Sequence, residues 1–165
     1  GFAGGFYQDR NLMRERAAAG LAALTEQKFT DTEHLAVIGF CFGGTVALEL
    51  ARSGADVNGI VSFHGGLNTP DPEDAKNIKA AILVLHGADD PYVKTEEVQA
   101  FQEEMRNADI DWQMIYYADA VHAFTNPAAG NDKSSGAAYN ERAARRAWYA
   151  MKVFFEEIFQ GNTLC

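Results

Sequence analysis

Four short apolar runs punctuate the chain, and most stretches between them carry apolar residues every three or four positions. Leu35-Ala36-Val37-Ile38, with its β-branched residues, has the pattern of a strand covered on both faces. Val57–Phe63 and Ala80–His86 predict a second and third strand, and Asp111–Tyr117 a fourth. Between them, helices are expected. One runs over Tyr7–Gln27, where Leu12 or Met13, Ala17, Leu21 and Leu24 recur at helical spacing. Another starts at Thr45 and ends near Ser53, with Gly54 as its stop. Thr95 is a candidate cap for a third, with Glu96 and Glu97 in its first turn and Val98, Phe101 and Met105 on one face. Tyr139–Phe159 forms the last, with Ala147, Met151, Phe154 and Ile158 inward. Gly1–Phe6, Phe29–His34, Asn68–Asn77 and Ala118–Ser135 read as loops. Strands alternating with helices predict an α/β fold, a mainly parallel sheet flanked by helices on both faces. Functional groups in such sheets gather beyond the C-terminal strand ends.

The junction between the first strand and its helix is the most informative stretch. Gly39-Phe40-Cys41-Phe42-Gly43-Gly44 has the G-x-C-x-G spacing of a nucleophile elbow with cysteine at its apex. Glycine suits positions 39 and 43 because a strand turning straight into a helix brings two backbones together. The apex residue is pushed out of the sheet edge. At a helix N-terminus the macrodipole and free N–H groups favour a thiolate there. The Phe42 N–H is placed to hold a developing oxyanion. The plainer reading of Cys41 is a buried, inert thiol in a glycine-rich turn.

Two further groups fall at strand ends. Asp90 lies in Gly87-Ala88-Asp89-Asp90-Pro91 and His122 in the loop after the fourth strand. Cys41, Asp90 and His122 follow the nucleophile, acid, histidine order of α/β-hydrolases. His122 would take the thiol proton or hold the thiolate as an ion pair, and later activate water. Asp90 would orient the imidazole. Asp89 is the rival acid; Gly87-x-x-Asp90-x-x-Val93 is the spacing usual for this loop in α/β-hydrolases and favours Asp90. His64 and His86 also end strands but precede Asp90, so they read as structural or pocket-lining, and His34 as a surface residue. Arg10, Arg14 and Arg16 read as a solvated helix face or, less ordinarily, as contacts for an anionic substrate.

Composition narrows the classes. A chain of 165 residues suggests one domain over 1–165, and 47% apolar residues can fill a core. No apolar run approaches the ~20 residues of a membrane span. A net charge of −9 argues against a nucleic-acid partner. The two cysteines, Cys41 and Cys165, form no disulfide framework and fit a reducing compartment, so the expected location is cytoplasmic. A zinc site is a weak alternative, because neither C-x-x-C nor H-E-x-x-H spacing occurs. Gly43-Gly44 lacks the G-x-G-x-x-G register of a phosphate loop.

Gly39-Phe40-Cys41-Phe42-Gly43-Gly44, Leu85-His86-Gly87-Ala88-Asp89-Asp90-Pro91 and Val121-His122-Ala123-Phe124 together resemble the dienelactone hydrolase family. The likeness extends to Asn126-Pro127 and the final helix with Trp148. It implies an α/β-hydrolase fold and a triad of Cys41, Asp90 and His122. The implied reaction is hydrolysis of an enol-lactone or related small-molecule ester through an acyl-thioester, with no metal or other cofactor. Two departures carry consequences. The family has further strands before the helix that precedes the elbow, with a second oxyanion donor and a glutamate near the thiol; they are absent here, so the fold is N-terminally incomplete. An exposed sheet edge of this kind invites pairing with a second copy, and an isolated fragment is expected to be a poor catalyst. Asn126 stands where characterised lactone hydrolases carry an arginine for the substrate carboxylate, which points away from dienelactone itself. Two other classes compete: a catalytically inactive interaction protein on a hydrolase fold, and a redox-sensing thiol, for which no resolving cysteine lies nearby in sequence.

Overall fold

The computed structural model describes residues 2–160. It contains strands β1 (Ala36–Phe40), β2 (Gly59–Phe63), β3 (Ala81–Gly87) and β4 (Trp112–Tyr117), and helices α1 (Phe2–Gln8), α2 (Arg10–Thr25), α3 (Phe42–Arg52), α4 (Thr95–Asn107) and α5 (Glu141–Gln160). The strands form one sheet in the order β1-β2-β3-β4, parallel throughout. All four expected strands are present, the second starting at Gly59 rather than Val57.

Alternation along the strands sends side chains to opposite faces. Ile60, Ile82 and Val84 pack with Leu48 and Ala51 of α3 and Val98, Phe101 and Met105 of α4. Val61, Phe63, Leu83 and Leu85 pack on the other face with Ala143, Ala147, Met151 and Phe154 of α5. Each large side chain so buried contributes ~1.5–3 kcal/mol. The inward stripe expected on the last helix is therefore present, with Ile158 half-buried at its end.

The N-terminal region departs from the sequence pattern. Residues 2–6, expected as a loop, are helical and run on through Gln8, and the helix expected over 7–27 is broken at Asp9 and starts afresh at Arg10. Asp9 makes the break: its backbone is non-helical (φ −128°, ψ 88°), and its carboxylate accepts the Leu12 N–H at 2.9 Å as an N-cap. Of the expected stripe only Met13 is buried, and Leu24 is largely exposed. Thr95 is the first residue of α4 rather than its cap, a position held by Lys94.

Two of the three arginines also have a different use. Arg14 donates to Glu49 (Nε–Oε2 2.8 Å) and to Asp74 (Nη1–Oδ2 2.7 Å), and Arg10 Nη1 lies 3.8 Å from Glu49 Oε1. They tie α2 to the buried face of α3, while Arg16 is exposed. At the sheet edge, β1 pairs with β2 alone among the described residues, and it exposes Ile38 and Phe40. No helix among them is long and apolar enough to cross a membrane.

Candidate active site

The elbow is built as its glycines require. β1 ends at Phe40 and α3 begins at Phe42, so Cys41 alone makes the turn, with φ 51° and ψ −121°. A non-glycine residue there costs on the order of 1–3 kcal/mol and persists because the surroundings hold it. The Cys41 N–H donates to Phe63 O (3.0 Å) and its carbonyl accepts the Gly44 N–H (2.9 Å), which starts the helix. A Cβ on Gly39 would sit 2.0 Å from Gly43 O, and one on Gly44 2.5 Å from Ser62 Oγ. The expected collision at position 43 is not there: a Cβ on Gly43 meets nothing within 4 Å. The close approach involves the backbone of residue 43 and the side of residue 44. Gly39→Ala is accordingly expected to lower Tm by at least ~5 °C, since backbone cannot yield cheaply. Gly43→Ala is expected to leave Tm unchanged or raised; thermal melts of the two variants check the contrast. Phe42 is the first residue of α3, where N–H groups have no intrahelical acceptor.

Asp90 and His122 converge on this turn. Asp90 is buried in the loop after β3; its Oδ1 accepts the Tyr92 N–H (2.9 Å) and its Oδ2 lies 2.8 Å from His122 Nδ1. Asp89 is exposed. The His122 backbone is pinned to the segment before α5, donating to Gly136 O (3.1 Å) and accepting from the Ala138 N–H (3.0 Å). Its ring meets Tyr92 edge-on at 5.2 Å, and one ring nitrogen lies within 4.8 Å of Cys41 Sγ. With Nδ1 committed to Asp90, Nε2 faces the thiol. Partial burial lowers the His122 pKa, but the bonds to Asp90 and Cys41 and their charges outweigh it, pushing it up to about 9. The arrangement supports an imidazolium beside the Cys41 sulfur at neutral pH.

His64 is the residue the sequence undervalued. It follows β2, is fully buried, and has φ 40°. Its Nδ1 lies 3.4 Å from Cys41 Sγ and its Nε2 2.7 Å from Thr125 Oγ1. Chain order alone set it aside. The signal that finds it is register: β1 and β2 are parallel neighbours with Phe40 opposite Phe63, so the next residues, 41 and 64, emerge side by side. Burial and the charge of His122 push its pKa down to about 4, against the opposing pull of Asp90. A folded-state pKa below the unfolded value of about 6.5 means that the unfolded chain binds the extra proton. The contribution is present above pH ~6.5 and is lost as pH falls towards 4, by about 3 kcal/mol. Melts in chelator from pH 7 to 4.5 are expected to show Tm falling less steeply for His64→Gln than for the parent chain; equal slopes would refute this.

His86 is buried, faces Tyr116 edge-on (5.5 Å) and lines a cavity of about 360 Å³ beside Asp90 and Pro91, which fits its pocket-lining reading. His34 is exposed and paired with Asp31 (2.7 Å), as expected of a surface residue. Asn126, in the arginine position noted above, caps the short turn Pro127–Ala129 by accepting the Ala128 N–H (3.0 Å). Cys165 lies outside the described residues.

Comparison with known proteins gives this geometry a family. An uncharacterized protein of Caenorhabditis elegans is 35% identical over 154 residues, covering 92% of this chain and 98% of its own. A Salmonella typhimurium protein assigned as a carboxymethylenebutenolidase is 29% identical over 135 residues, 77% of this chain and 47% of its own. Among solved structures, the dienelactone hydrolase-like promiscuous phosphotriesterase P91 from metagenomic libraries superposes with a TM-score of 0.88 at 48% identity, covering 93% of this chain and 64% of P91. MGS-M1, an α/β-hydrolase from a deep-sea metagenome, matches at a TM-score of 0.59 and 22% identity over 76% of this chain and 54% of its own, a likeness of fold. The chain thus spans about half of the Salmonella protein and just under two thirds of P91. The model of the dienelactone hydrolase family matches residues 6–159, the elbow and both partner loops included, and the chain belongs to that family.

Proposed function

We propose that this chain hydrolyses small carboxylic esters or lactones with Cys41 as nucleophile. The observation that carries the reading is the convergence of the strained elbow thiol, His122 and buried Asp90: a His122 ring nitrogen lies within 4.8 Å of Cys41 Sγ, and His122 Nδ1 lies 2.8 Å from Asp90 Oδ2. The Cys41 thiolate attacks the acyl carbon, and the oxyanion that forms takes the Phe42 N–H. Collapse breaks the bond to the leaving oxygen, which receives the His122 proton. Neutral His122 then removes a proton from water as it attacks the thioester; the acid leaves and the thiolate returns beside imidazolium. Asp90 holds the ring and its charge throughout. His64, buried and neutral, lies against the thiol sulfur and stiffens its position.

Phosphotriesters form a second substrate class for the same thiolate, supported by 48% identity to a phosphotriesterase. The small acidic domain with its reduced thiol fits a cytoplasmic setting. Stopped-flow hydrolysis of p-nitrophenyl acetate is expected to show a burst of about one p-nitrophenol per chain, followed by slower turnover, the signature of a covalent intermediate. No release above background would instead favour an interaction protein on a hydrolase fold.

A further inference from the structure

We propose that Cys41 Sγ, His64 Nδ1 and His122 Nε2 form a three-ligand site for a zinc ion, and that zinc occupying it silences the thiol. The candidate ligand atoms of these three residues all lie within 4.8 Å of one another. Sγ and His64 Nδ1 are already 3.4 Å apart. Bond lengths of about 2.3 Å to sulfur and 2.0 Å to nitrogen give tetrahedral edges of roughly 3.3–3.7 Å, so one edge is in place. The edges to His122 are within 4.8 Å, so a shift of at most about 1.5 Å by its ring completes the set.

The shell behind these ligands is also built. His122 offers its other nitrogen to Asp90 at 2.8 Å, the carboxylate–histidine pairing that orients a metal ligand. His64 offers its other nitrogen to Thr125 Oγ1 at 2.7 Å. Each ring is thus held through one nitrogen, which leaves the other to bind the metal. A thiolate with two imidazoles selects a soft or borderline ion such as zinc over magnesium or calcium. Three protein ligands leave a fourth position for water or substrate. The site escapes local motif rules because its ligands come from three places: the β1–α3 turn, the end of β2 and the loop after β4.

Binding exchanges a proton for the metal. Zinc takes the thiolate lone pair and the His122 lone pair, and the proton that His122 held leaves to solvent. Cys41 then has no free electron pair for an acyl carbon. This silencing rests on the hydrolase reading; the binding does not.

The test starts from protein stripped with chelator and desalted. Titration with Co²⁺ is expected to give a thiolate-to-metal charge-transfer band in the near ultraviolet, saturating at one ion per chain, and Zn²⁺ is expected to displace it. The band is expected to vanish in Cys41→Ser and in protein alkylated at Cys41, which serves if the variant fails to fold. His64→Gln is expected to weaken Zn²⁺ binding at least ~10-fold. Zn²⁺ is expected to stop ester turnover at the concentration that fills the site, and chelator to restore it. Absence of the band, its survival after alkylation, or unchanged affinity in a folded His64→Gln would overturn the site. Full turnover with the site filled would overturn the silencing. Metal binding without any ester hydrolysis would leave the site standing and remove the hydrolase reading alone.

Discussion

Cys41→Ala is expected to reduce ester turnover at least ~10³-fold, to the level left by binding and backbone donors. The fold is expected to survive, because alanine keeps the backbone hydrogen bonds of Cys41 and its side chain belongs to neither core cluster. Cys41→Gly separates chemistry from stability. The apex φ of 51° suits glycine, and relief of ~1–3 kcal/mol of strain offsets the ~0.5–1 kcal/mol that glycine costs by loosening the unfolded chain. The glycine variant is therefore expected to be inactive and to melt at or above the parent temperature, and above Cys41→Ala. Paired activity assays and thermal melts check this. A glycine variant that melts well below the alanine variant would mean that the turn is not held against strain.

The second large effect lies beneath the elbow, in a charge network with no counterpart in the sequence pattern. Arg52, fully buried in the last turn of α3, makes a two-pronged contact with Glu104 of α4 (Nε–Oε1 2.7 Å, Nη2–Oε2 2.8 Å). It also donates to Glu49 Oε1 (3.0 Å) and to Leu67 O (2.9 Å). Glu49, itself fully buried, takes its remaining bonds from Arg14. Arg52→Met strands the buried Glu104 carboxylate and leaves Glu49 to Arg14 and Arg10, and the expected loss is about 3–5 kcal/mol in urea unfolding. Replacing Arg52, Glu49 and Glu104 together with apolar residues of similar volume is expected to recover much of that loss, because no uncompensated charge remains among them. A loss below ~1 kcal/mol in Arg52→Met would show that water reaches the network.

How legible was this molecule before its fold was known? The strands were, because Ile60, Val61, Leu83 and Leu85 stand in unbroken apolar runs that only a sheet covered on both faces can hide. The last helix was too, since Ala147, Met151 and Phe154 repeat with the period of one helix face. Cys41, Asp90 and His122 were placed together by chain order and strand ends, which local spacing carries. His64 was not, because what brings it to the thiol is the pairing of two strands, and register between strands is a tertiary fact. Arg14 and Arg52 were misread or passed over for a related reason. A buried ion pair looks in sequence like any two exposed charges until the opposing helix is in position. Asp9 shows the local limit: one capping carboxylate divided what periodicity presented as a single helix.

The central claim is that an acyl group passes through Cys41. Acid-quenching the chain during hydrolysis of p-nitrophenyl acetate, followed by intact-mass and peptide mass spectrometry, tests it most directly. The account predicts one acetyl group per chain, on the peptide containing Cys41, absent in Cys41→Ala and discharged by hydroxylamine at neutral pH as a thioester is. Acetyl groups confined to other residues, or turnover that continues undiminished in Cys41→Ala, would contradict it.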